Sequence, residues 1–193
     1  TWAEQNDLNT ARKALAGGGT QTAGLAFGGA APSVTGATEE YDGSSWSNNP
    51  NSMSTARRYL QGFGIQTAAV ACGGGYPSAV TTTEEYDGSS WTSGGAMLVA
   101  KQRGGAGGII TDGIAFGGGA SPPSAHALVE GYDGTSWSTR PSTATSLFNV
   151  GGGSNTTSTA AFMAGGRNGS YVTSTEEFSG ETTAVNVKTL TQS

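Results

Sequence analysis

Short apolar runs closed by paired glycines recur along this chain. They are Gly24-Leu25-Ala26-Phe27-Gly28-Gly29, Ala69-Val70-Ala71-Cys72-Gly73-Gly74, Gly113-Ile114-Ala115-Phe116-Gly117-Gly118 and Ala161-Phe162-Met163-Ala164-Gly165-Gly166. None reaches helix length, and short runs bounded by glycine predict strands. Each is followed by a Ser/Thr/Pro loop and then an alternating segment such as Thr38-Glu39-Glu40-Tyr41. Adjacent strand residues point to opposite faces, so Tyr41 faces away from Glu40 and Asp42. Asp42-Gly43, Asp87-Gly88 and Asp133-Gly134 then mark hairpin turns, because Gly accepts positive φ and Asp can bond the turn backbone. A Trp segment closes each unit, placing Tyr41 and Trp46 on either side of the turn.

The units repeat on a fixed period. EEYDGSSW occurs at Glu39 to Trp46 and at Glu84 to Trp91, returns as EGYDGTSW at Glu130 to Trp137, and decays to EEFSGETT at Glu176 to Thr183. The anchors Tyr41, Tyr86, Tyr132 and Phe178 are 45, 46 and 46 residues apart. A period of this size marks a repeat architecture in which each unit buries its apolar face against its neighbours. Four short strands per period, with a turn signal about every ten residues, predict one propeller blade each. The fold expected is therefore all-β: one domain over 1–193, a small β-propeller of four four-stranded blades. The repeats run approximately over 3–46, 47–91, 92–137 and 138–183, leaving 184–193 as a C-terminal strand or tail.

The order of basic residue, glycine pair, Glu-x-Tyr-Asp and Trp resembles the kelch repeat. The spelling TEEYDGSSW in a Gly/Thr-rich setting resembles kelch-like repeats of virion structural proteins in tailed phages, marine ones especially. That resemblance implies a non-enzymatic structural or interaction module on the virion exterior, as capsid decoration or tail fibre, in contact with other virion proteins in a multi-copy assembly and with host-surface glycan or protein. A kelch adaptor or lectin-like scaffold that binds glycan or protein is the alternative. Ring closure has two readings. Thr1-Trp2 aligns with Ser45-Trp46, while Thr183 stands where a fourth Trp belongs, so Trp2 is expected to supply the missing outer strand of the Phe178 blade. The alternative uses Thr183 to Thr189 as that strand and leaves Trp2 as the remnant of an earlier blade.

Composition narrows the function further. Only 12% of the 193 residues are charged, about half the usual share, and the net charge of −5 disfavours nucleic acid, whose phosphates need a Lys/Arg surplus. Six of the nine basic residues (Arg12, Lys13, Arg57, Arg58, Lys101 and Arg103) recur about eleven residues after a Trp. One Glu of each pair is expected to bond the Arg12, Arg57 or Lys101 position of its own or the next blade. Glu39 and Glu40 lie on opposite faces and cannot act as a catalytic dyad. The single Cys72 cannot form an intrachain disulfide and takes the place of Phe27 and Phe116, which suits a buried hydrophobe. No cofactor or metal site is expected. No apolar run approaches the roughly eighteen residues of a membrane span, and no signal peptide is visible.

Function, if local, is expected in the loops between the glycine pair and the Glu-Tyr strand, which differ most between repeats. Tyr76, His126, Arg167, Asn168 and Tyr171 are the large or polar side chains there. Aromatic and amide groups together suit carbohydrate or protein contact. The structural positions are Tyr41, Trp46, Tyr86, Trp91, Tyr132, Trp137, Phe178 and Trp2, with Arg12, Arg57 and Lys101.

Overall fold

A computed structural model describes residues 1–121, 124–154 and 157–180. It is a four-bladed, all-β propeller. Blade 1 consists of β1 (Ala16–Thr20), β2 (Ala23–Phe27), β3 (Thr38–Tyr41) and β4 (Trp46–Asn49), and blade 2 of β5 (Gln61–Ile65), β6 (Ala68–Cys72), β7 (Thr83–Tyr86) and β8 (Trp91–Ser93). Blade 3 contains β9 (Gly105–Ile109) and β10 (Asp112–Phe116). A small loop hairpin follows, β11 (Gly119–Ser121) and β12 (Ser124–Ala125), before β13 (Val129–Tyr132) and β14 (Trp137–Arg140) complete the sheet. Blade 4 pairs β15 (Gly151–Ser154), β16 (Ala161–Ala164) and β19 (Thr175–Phe178), with β17 (Arg167–Asn168) and β18 (Ser170–Tyr171) as its loop hairpin. All pairings are antiparallel, and the register sets Tyr41 opposite Trp46, Tyr86 opposite Trp91 and Tyr132 opposite Trp137. The outer strand sought at Thr183 to Thr189 lies outside the described residues.

The local chemistry explains these elements. Asp42 Oδ1 accepts the backbone N–H groups of Ser44 and Ser45, both at 2.8 Å, while Gly43 sits at a φ of 93°. A side-chain acceptor and a residue free to adopt positive φ are what a tight hairpin needs. Asp87 and Asp133 repeat the arrangement. At the other end of the blade both Gly73 and Gly74 have positive φ, and a Cβ on Gly74 would run into the Leu60 backbone.

The core lies between blades. Leu25 and Phe27 pack with Ala69, Ala71 and Tyr86; Val70 and Cys72 with Ala115, Tyr132 and Trp137; Ile114 and Phe116 with Ala161 and Met163. Each of the first three sheets thus buries an apolar face on its successor, and the inner strands β1, β5, β9 and β15 run side by side in that order.

The N-terminus departs from the expected closure. Trp2 does not complete the Phe178 blade: its side chain is fully exposed and residues 1–8 form no strand. Asn6 and Asn9 tie this segment to blade 1 instead, through the Ser44 and Trp46 carbonyls and the Glu39 carboxylate. Those bonds hold the segment against blade 1 and leave Trp2 in solvent.

Candidate binding surface at the loop end

Every blade sends its hairpin turns to one end and its β2–β3-type loop to the other, where the segment leading into the blade also arrives. Single backbone bridges tie these two together: Lys13 with Ala30, Arg58 with Gly75, Gln102 with Gly119, and Phe148 with Arg167.

The repeating basic pairs split at this point. Their first members turn inward. Arg12 lies 3.1 Å from Glu39, Arg57 bonds Glu84, and Lys101 Nζ lies 3.0 Å from Glu130, all with fully or nearly fully buried side chains. Each pair belongs to one blade. Lys101 is out of line for a hydrogen bond to Glu130 and donates to the Leu128 carbonyl at 3.2 Å. Burial lowers the Arg12 pKa, opposed by the Glu39 charge. These carboxylates are committed to structure, and Glu40 and Glu85 point the opposite way, accepting the Tyr86 and Tyr132 hydroxyls of the following blades. Cys72 is buried, which pushes its thiol up to about 12 and leaves it un-ionised at neutral pH.

The second members face the loop end. The Arg103 guanidinium lies 3.9 Å from the Tyr59 ring centre; Arg58 lies 5.0 Å from the same ring and 4.6 Å from that of Tyr76. Tyr59 is thus held between two cations, with the exposed Tyr76 outermost. Such stacking orients guanidinium groups while leaving their N–H donors usable. None of the four loops (28–37, 73–82, 117–127, 165–174) or the segments 10–16, 55–60, 99–104 and 145–150 carries an acidic residue. The hairpin end carries Asp42, Asp87 and Asp133. The molecule is polar in charge: acidic at the turns, basic and aromatic at the loops.

Of the five loop residues singled out from sequence, Tyr76 joins this cluster. The others stand on blades 3 and 4, and no hydrogen bond or ring contact among the described residues links them to Tyr76. His126 donates its backbone N–H to Gly118 at 2.7 Å, and its Nδ1 is buried without a partner. Arg167 and Asn168 form β17, and Tyr171 in β18 is almost wholly exposed. Arg58, Tyr59 and Arg103 were missed because the pairs read as one structural position. The available signal was the absence of carboxylates from every segment at this end. Between blades 3 and 4 a cleft of about 70 Å³ is lined by Phe116 and Val129. These correspond to Phe27 and Thr38, which hold Trp91 in blade 2.

Among the described residues no group of His, Cys, Asp and Glu is placed to hold a metal ion, and no helix is long and apolar enough to cross a membrane. The chain matches no protein-family model, and no curated protein is significantly similar to it.

Proposed function

We propose that this chain is a non-enzymatic structural and interaction module: an exposed virion protein of a tailed phage, in capsid decoration or tail fibre, whose loop end meets the host surface. The observation that carries the binding part is the Arg103–Tyr59–Arg58–Tyr76 stack on an end without carboxylates. Oriented guanidinium donors beside tyrosine faces suit carboxylated or sulfated glycans and acidic protein loops. The virion part is supported by the spelling and spacing of the YDG(S/T)SW repeat. Commitment of the repeated carboxylates to buried ion pairs and inter-blade bonds favours a scaffold over an acid/base enzyme.

A soluble glycan- or protein-binding adaptor is the second reading, favoured by the exposure of Tyr76 and Tyr171. Two measurements separate them. Mass spectrometry of purified virions detects the chain if it is a particle component, and its consistent absence rejects that role. A glycan array with the isolated protein shows saturable binding that Arg58→Ala and Tyr76→Ala each weaken at least tenfold if the loop end is the site. Binding unchanged by both variants removes the site.

A further inference from the structure

Among the described Lys and Arg residues, two groups stand apart. Arg12, Arg57 and Lys101 are paired with buried carboxylates. Arg58 and Arg103 lie over tyrosine rings, yet their side chains have neither a hydrogen-bond acceptor nor a carboxylate among the described residues. The side chains of Lys13 and Arg167 have no partner there either. Lys13, Arg58 and Arg103 stand just before β1, β5 and β9, and Arg167 opens the loop hairpin of blade 4, so each blade contributes one such cation. All four belong to the loop end, where no segment carries an acidic residue. A guanidinium that is stacked but unbonded keeps its N–H donors for an anion from outside.

A single backbone platform carries these cations. Two residues before each inner strand stand Ala14, Tyr59, Arg103 and Asn149, the positive-φ residues other than glycine. The N–H groups of Tyr59, Arg103 and Asn149 donate to the carbonyls of Ala14, Tyr59 and Arg103 at 2.8, 2.9 and 2.8 Å. Side chains other than glycine hold this backbone conformation only where their surroundings enforce it, so each step is fixed by its neighbours. Lateral bridges tie Arg58 to Gly75, the neighbour of Tyr76, and Phe148, the neighbour of Asn149, to Arg167. Arg167 in turn stands opposite Tyr171 in the β17–β18 hairpin, and Tyr171 is 87% exposed. Blade 4 thus sets a cation beside an exposed tyrosine, as blade 2 does with Arg58 and the 62% exposed Tyr76. The exposed Asn149 lies on the bonded path between the two.

We propose that the loop end is an extended site for a linear acidic polysaccharide, which runs from the Tyr76–Arg58 subsite over Arg103 to the Arg167–Tyr171 subsite. The proposal rests on the loop-end binding reading above and adds the class and length of the ligand. Each subsite offers what one acidic sugar needs: a tyrosine face for the C–H side of the ring and a guanidinium fork for its carboxylate or sulfate. Two like subsites on one fixed backbone suit a ligand that repeats along its length, because the second contact is then intramolecular. Nucleic acid matches less well. Its dense phosphates need a cation surplus, whereas this chain carries a net charge of −5 and sets its free cations singly, one to a blade.

Calorimetric titration of the full chain with uronate and sulfated oligosaccharides, each in a series from disaccharide upward, tests it. In at least one series affinity is expected to rise about tenfold or more once the chain reaches both subsites. Arg167→Ala and Tyr171→Ala should each remove about tenfold of the long-chain affinity, and Arg167→Ala should lower the salt slope of that binding by about one. Both residues lie in a surface hairpin, so the variants should keep the wild-type circular dichroism. Affinity independent of length, or long-chain binding that Arg58→Ala weakens but Arg167→Ala and Tyr171→Ala do not, overturns the extended site and leaves a single loop-end site standing. Absence of binding in both series rejects the site and the loop-end reading together. Polyglutamate or oligothymidylate binding as tightly as the long sugars overturns the polysaccharide assignment.

Discussion

Arg57 and Glu84 show what the repeating charges do. Both side chains are 1% exposed, and the guanidinium also bonds the Ala71 carbonyl, so the pair ties the segment before β5 to the centre of the sheet. Removing one partner strands a buried charge, at a cost of about 3–5 kcal/mol. Arg57→Met is therefore expected to lower unfolding free energy by that amount in urea titration; unchanged stability would refute the pairing. Blade 4 shows the limit of the rule. Leu147 replaces the cation, and Glu176, which is half-buried, is left with the Ala144 and Thr145 backbone N–H groups. The turn aspartates titrate differently. Backbone N–H and serine donors hold Asp42 and Asp87 at about 2, below the value near 3.9 of an unfolded chain. A depressed folded pKa adds stability above the unfolded value that is lost as pH falls from about 4 to about 2. The triple Asn variant of Asp42, Asp87 and Asp133 should show a smaller fall in Tm across that window than the wild type; equal slopes would show that the turns contribute nothing.

At the scale of elements, the blade junction is the unit that matters. Tyr86 and Tyr132 each cross from one sheet to the preceding one, and their pKa values rise, first through burial and then through the hydroxyl bond to Glu40 or Glu85. A raised folded pKa gives stability that is full below the unfolded value near 10 and is lost as pH climbs beyond it. The protein should therefore unfold more easily above pH 10. Tyr86→Phe should reduce that alkaline loss and cost about 0.5–1.5 kcal/mol at neutral pH. A variant with the wild-type alkaline profile would show that the hydroxyl is not the titrating group.

For the whole molecule, stability is a sum of blades and junctions. Blades 2 and 3 are covered on both faces. Blade 1 keeps Tyr41 buried against Trp46, but its hydroxyl makes no hydrogen bond among the described residues. Blade 4 lacks the buried ion pair, the tyrosine hydroxyl and the Trp, and its third strand is only half-buried. Hydrogen exchange should be slowest in β5–β7, β9, β10 and β13 and fastest in β15, β16 and β19. Equal protection across the four sheets would show that blade 4 is packed as firmly as the others.

Much of this was legible in the chain itself. Period, strand order, turn chemistry and the identity of the interblade aromatics follow from local rules, because a hairpin needs its Asp and Gly wherever it stands and alternation assigns a face to each side chain. The pairing of Glu with Arg or Lys was legible as well, since repeated charge of both signs in a charge-poor chain must be compensated. What only the tertiary structure decided depends on position around the axis. Local pattern cannot distinguish Arg57, buried against Glu84, from Arg58, turned outward over Tyr76. It also cannot reveal whether four identical steps bring the last blade back to the first, since closure depends on the rotation accumulated over every junction. Trp2 was misplaced because alignment alone does not show where a terminal segment is held: its match with Trp46 is sound, but Asn6 and Asn9 bond the segment to blade 1 and leave Trp2 in solvent.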